Sequence, residues 1–66
     1  MSTKIRRAVQ DFLRLSHHST APLHDLTEFT ERLRDEPDWT EGDIRTFRTR
    51  IVRLLRRIRE DRRDAA

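Results

Sequence analysis

The chain contains no cysteine, and its large apolar side chains never follow one another for more than two positions. The lack of cysteine excludes a disulfide framework and any zinc site built on thiolates, and it suits a reducing compartment. The short apolar runs argue against a transmembrane helix and against the apolar segment of a signal peptide. We therefore expect a cytoplasmic protein that does not enter a membrane.

Glycine, proline and aromatic residues are also scarce. One glycine, two prolines and no tyrosine occur among 66 residues, and no segment alternates apolar and polar residues as a β-strand does. A chain of this length is too short for a Rossmann unit or a barrel. We expect one all-α domain over residues 1–66: a small three-helix bundle with helices at about 2–17, 22–35 and 41–62.

The charge changes sign twice along the chain. The net charge is +3, and all but one of the 15 basic residues are arginine. Residues 1–21 carry four basic and one acidic side chain, residues 22–43 carry two and eight, and residues 44–66 carry nine and three. Arginine makes planar, bidentate contacts with phosphate and carboxylate groups. The last third of the chain is therefore the candidate surface for an anionic partner.

The first helix is predicted to begin at the N-cap Ser2 and to be apolar over more than half of its circumference. Leu13 lies outside the stripe that one neighbouring helix covers. The whole chain has 17 large apolar side chains, and chains below about 70 residues often gain stability by association. We expect a homodimer, or docking on a protein partner, through Ile5, Val9, Phe12 and Leu13.

The second helix is predicted to begin at Pro22, since proline is tolerated in the first turn of a helix. Pro37 restricts the residue before it and ends the pattern. The acidic residues of this helix offer a second docking surface for a protein partner. Its apolar stripe has four members: Leu23, Leu26, Phe29 and Leu33.

The third helix is the clearest element. Thr40 and Asp43 have the spacing of a capping box, in which each side chain accepts a hydrogen bond from the other residue's backbone N–H. We expect the charged tail at about 60–66 to fray and Trp39 to cover one end of the bundle. Apolar residues keep an a/d heptad: Ile44, Phe47, Ile51, Leu54 and Ile58.

The segment from Ile44 through Arg59 contains seven arginines and no acidic residue. Arginine and threonine suit phosphates and base edges, so the leading hypothesis is nucleic-acid binding through what we call the arginine ridge. The alternative interpretation is a solvent-exposed helix face that binds no ligand. Its charge would be partly neutralised by pairs such as Glu41 with Arg45 or by the acidic second helix. The ridge residues are Arg45, Arg48, Thr49, Arg53, Arg56, Arg59 and Arg63.

Other functions receive less support from the sequence. The interval from Leu33 to Ile44 is longer than the turn of a helix-turn-helix motif. His17, His18 and His24 lack a second chelating pair for a metal. No nucleophile elbow or phosphate-binding glycine loop is present, so we expect no catalysis and no cofactor. A protein-interaction adaptor or inhibitor remains the alternative to nucleic-acid binding.

Overall fold

The chain forms three helices, and each helix packs against the other two. The computed structural model describes the backbone of residues 3–65 and the side chains of residues 3–60. Helix α1 spans Thr3–Ser16, α2 spans Pro22–Arg34 and α3 spans Glu41–Ala65. The predicted three-helix bundle is confirmed. The predicted cap Ser2 lies outside the described residues.

Two short connections reverse the chain direction. After α1, the Ser19 hydroxyl accepts a hydrogen bond from the Ala21 N–H at 3.1 Å, and Pro22 opens α2. After α2, the Trp39 N–H donates to the Glu36 carbonyl at 3.2 Å. Helices α1 and α3 therefore run in the same direction, with α2 antiparallel to both.

Three phenylalanines, one from each helix, meet in the centre of the bundle. Phe12 meets Phe29 and Phe47 edge-on at centroid distances of 5.6 and 6.2 Å, and Phe29 stacks on Phe47 at 5.3 Å. Trp39 adds an edge contact to Phe47 at 6.1 Å and is half-buried at one end of the bundle, as predicted. The buried apolar side chains are Ile5, Ala8, Val9, Phe12, Leu26, Leu33, Ile44, Phe47 and Ile51.

Helix α3 is much longer than its neighbours. Its 25 residues span about 37 Å, whereas the 14 residues of α1 and the 13 of α2 span about 20 Å each. No glycine or proline follows Gly42, so nothing in the sequence interrupts the helix. The helix continues to Ala65, through most of the tail that we expected to fray.

Leu23 and Ile58, which the periodicity placed in apolar stripes, lie at the surface instead, as does Leu15. Leu15 is 66% exposed, Leu23 65% and Ile58 47%. All three belong to the end of the bundle where α1 stops, α2 begins and α3 continues. Conversely, Thr30 is buried on α2, where its hydroxyl donates to the Thr27 carbonyl at 2.9 Å.

Candidate nucleic-acid interface

The start of α3 is fixed by a reciprocal pair of hydrogen bonds. The Asp43 N–H donates to the Thr40 hydroxyl at 3.1 Å, and the Thr40 N–H donates to the Asp43 carboxylate at 3.2 Å. Two of the otherwise unpaired N–H groups at the helix start are thereby satisfied. The capping box predicted from the sequence is confirmed, and it sets where the arginines of α3 begin.

Lys4, the single lysine, fastens α1 to this cap. Its ammonium lies 2.6 Å from the Asp43 carboxylate, donates to the Asp38 carbonyl and sits 5.6 Å from the centre of the Trp39 ring. This junction was not predicted from the sequence. Lys4 and Asp38 are 34 positions apart, and no local pattern pairs residues at that separation.

The same contacts shift the acidity of Asp43. The Lys4 ammonium, together with the backbone N–H and hydroxyl of Thr40, holds the pKa of the Asp43 carboxyl below its ordinary value of 3.8. Charge and hydrogen bonds that favour the ionised form act in this direction. The carboxylate is therefore charged throughout the physiological pH range.

The apolar face of α3 determines which way its arginines point. Ile44, Phe47 and Ile51 are at most 4% exposed and face α1 and α2. A residue follows its predecessor by about 100° around a helix, so the ridge residues lie on the opposite side of α3 and on its flanks. The ridge side chains within the described part of the chain are all exposed: Arg45, Arg48, Thr49, Arg53, Arg56 and Arg59. The side chain of Arg63 lies outside the described residues.

The acidic residues that form ion pairs within the described chain do so away from the ridge. Glu41, which we expected to meet Arg45, lies 3.5 Å from Arg34, and Glu31 lies 3.0 Å from the same guanidinium. Glu28 meets His24 at 3.2 Å within α2. None of the ion pairs formed among residues 3–60 includes an arginine of the ridge. The expected neutralisation of the ridge by α2 is therefore not seen.

The surface predicted on α1 has a different composition in the folded chain. Ile5, Val9 and Phe12 are 6%, 7% and 1% exposed and belong to the core of a single chain. Packing against α2 and α3 covers them, so folding leaves them unable to contact a partner. Of the four residues expected at an interface, only Leu13 remains partly exposed; its side chain is half-buried.

Leu13 lines an open groove of about 710 Å³ where α1 ends beside α3. We call it the Leu13 groove. Its apolar lining is completed by Leu23, Val52, Leu55 and Ile58, and its cationic side chains are Arg56 and Arg59. A signal for this groove is present in the sequence, because Leu13 falls outside the apolar stripe of α1 and Val52 falls outside the a/d heptad of α3.

Neither a metal-binding cluster nor a membrane-spanning helix is found among the described residues. His17 and His18 contact each other edge-on at 4.7 Å, but no cluster of three or more metal-ligating side chains occurs there. Within the same residues, no helix combines the length and apolarity that crossing a membrane requires.

Comparison with known proteins does not extend these observations. No protein-family model, curated protein or solved structure matches the chain.

Proposed function

We propose that the protein binds nucleic acid through the arginine ridge of α3. The observation that carries this proposal is the exposure of five arginines on one side of one helix, with no carboxylate of the described chain paired to any of them. From Arg45 to Arg59 the ridge extends about 21 Å at 1.5 Å per residue. That length matches several consecutive phosphates.

The lack of ion-pair partners among the described residues bears directly on affinity. An arginine already paired with a carboxylate would have to exchange that partner for a phosphate, which reduces the gain on binding. Exposed arginines exchange only water, and each contact releases counterions from the nucleic acid. A binding measurement distinguishes this interface from a merely solvated face.

The test compares two double variants of equal net charge. Arg45→Gln with Arg53→Gln removes two ridge charges outside the Leu13 groove, whereas Arg7→Gln with Arg32→Gln removes two exposed charges from α1 and α2. Fluorescence anisotropy with a labelled DNA duplex is recorded between about 50 and 200 mM salt.

We expect the ridge variant to bind less tightly and its salt dependence to fall by about 1.8 logarithmic units per unit of log salt, at about 0.9 per lost phosphate contact. The control variant should match the parent. Equal losses of affinity in both variants would mean that binding depends on net charge and not on the ridge. Unchanged affinity of a folded ridge variant would refute the proposal.

A second candidate function is self-association, favoured by the Leu13 groove. The half-buried Leu13 and the exposed Leu23 and Ile58 leave apolar surface at one end of the chain. Arg56 and Arg59 beside it attract acidic groups, which a second copy supplies from its segment 22–43. The proposed homodimer therefore uses this groove rather than the buried face of α1.

Two leucines of equal exposure test the dimer. Leu23 lines the groove and Leu15 does not, although they are 65% and 66% exposed. The melting temperature of the parent should rise with protein concentration. Leu23→Glu should abolish that rise and Leu15→Glu should keep it. If the protein is a monomer at all concentrations, the dimer is refuted. The Leu13 groove would then be a docking site for a different protein, which is the adaptor function.

For either function we propose a cytoplasmic location, which the absence of cysteine supports.

A further inference from the structure

From the arrangement of side chains on α3, we infer that the ligand of the ridge is double-stranded DNA, with the exposed face of α3 seated in the major groove. This inference rests on the proposed function and names its ligand class. Three observations carry it: the rows formed by the arginines, the placement of the aromatic residues and the freedom of α3 beyond its neighbours.

The ridge has a middle and two flanks. At about 100° per residue, Thr49 and Arg56 lie near the middle of the exposed face, Arg48 and Arg59 lie on one flank, and Arg53 lies on the other. A helix with its side chains is about 10–12 Å wide, and the major groove of B-form DNA is about 12 Å wide. Flanking arginines then face the two phosphate backbones while the middle residues face base edges.

The aromatic residues argue against a single-stranded ligand. Proteins that bind single strands stack the bases on exposed aromatic rings. Phe12 and Phe47 are 1% and 0% exposed, and Phe29 stacks on Phe47. Trp39 is half-buried and carries the Lys4 ammonium against its ring. The only aromatic residue of α3 is Phe47, so the ridge offers no ring for stacking.

The shape of α3 separates DNA from duplex RNA. The major groove of A-form RNA is too deep and narrow for side chains to read. Helix α3 extends past α1 and α2, whose last and first turns lie beside the Leu13 groove. The ridge residues from Arg45 to Arg59 are all exposed, so this side of α3 is accessible over that length, as a wide groove requires.

Three nucleic acids of matched length test the inference. Anisotropy titrations use a DNA duplex of mixed sequence and about two helical turns, roughly 20 base pairs, one of its strands, and the corresponding RNA duplex. We expect the DNA duplex to bind at least about tenfold more tightly than the other two, at equal salt. Equal or tighter binding of the single strand or of the RNA would overturn the inference but leave the proposed function intact. Absence of binding to all three would refute the proposed function itself.

A charge placed in the middle of the ridge tests the seating. Thr49→Asp puts a carboxylate where the groove floor would lie, and Thr27→Asp puts the same charge on the exposed surface of α2. Like charges brought together at an interface repel, so Thr49→Asp should weaken DNA binding by more than about tenfold and Thr27→Asp much less. Circular dichroism verifies that both variants fold. Equal effects of the two changes would overturn the seating of α3 in the groove.

Discussion

Removing the ring of Phe47 is the most direct test of the packing that orients the ridge. The side chain is fully buried and touches an aromatic residue from both other helices and from the second connection: Phe12 of α1, Phe29 of α2 and Trp39. Phe47→Ala therefore deletes the one side chain at which all parts of the core meet.

The expected loss is large relative to the stability of so small a domain. Replacing a buried phenylalanine by alanine costs about 3–5 kcal/mol, and each aromatic pair contributes about 0.5–1.5 kcal/mol beyond its area. At about 0.05–0.15 kcal/mol per residue, a chain of this length has roughly 3–10 kcal/mol of stability. We expect Phe47→Ala to remove about 3–5 kcal/mol, which leaves it marginally folded. The stability of Phe47→Leu should lie between those of the parent and Phe47→Ala, because leucine keeps apolar contacts but has no ring.

Urea denaturation followed by circular dichroism measures these differences. Leu15→Ala is the control, because a side chain that is 66% exposed should change stability by less than about 0.5 kcal/mol. If Phe47→Ala has no folded baseline, the change in the free energy of unfolding is measured on Phe47→Leu instead. A loss below about 1 kcal/mol for Phe47→Ala would mean that Phe47 does not face the core. The orientation assigned to the arginines would then be wrong as well.

Three further predictions concern the start of α3. Thr40→Ala should lower the free energy of unfolding by about 1 kcal/mol, because the Asp43 N–H loses its acceptor. Gly42→Ala should raise it by about 0.4–1 kcal/mol, since a Cβ there would meet only the Thr40 hydroxyl at an ordinary 3.7 Å. The lowered pKa of Asp43 stabilises the fold above the ordinary value of 3.8, and that stabilisation is lost as the pH falls through the lower folded value. Melting temperatures recorded against pH should therefore show an advantage of the parent over Asp43→Asn near neutrality that disappears in acid.

Each of these measurements has an outcome that contradicts its premise. Unchanged stability in Thr40→Ala would show that the cap does not form in solution. Destabilisation by Gly42→Ala would mean that the first turn has another backbone conformation. If the parent still melts at a higher temperature than Asp43→Asn in strong acid, the difference does not come from the charge on Asp43.

The helices were predictable because their boundaries are local. Pro22, Pro37 and the pair Thr40 and Asp43 mark starts and stops within a few residues, and the observed bounds of α1 and α2 lie within one residue of the predicted ones. The exposed side of α3 was equally predictable. Once Phe47 and its heptad neighbours face inward, helical geometry fixes where the arginines point.

What the sequence could not provide is the length over which one helix covers another. Ile58 continues the apolar heptad of α3, yet it is 47% exposed because α1 ends at Ser16 and leaves that part of α3 bare. Similarly, a wide apolar arc on α1 predicted an interface, but two neighbouring helices cover most of it. The partners of Glu41 and Lys4 depend on how α1, α2 and α3 are rotated against each other, which no single helix specifies.

Trp39 gives the molecule an optical signal at one defined place. It is the only tryptophan, and it stands where α1, the second connection and the start of α3 meet. Indole emission shifts to longer wavelength when water replaces a protein environment, and a nearby ammonium group alters its intensity. Emission from the unlabelled chain therefore reports whether Lys4 and Phe47 are in place beside the ring. The junction that joins the first residues of α1 to α3 can be followed by light alone.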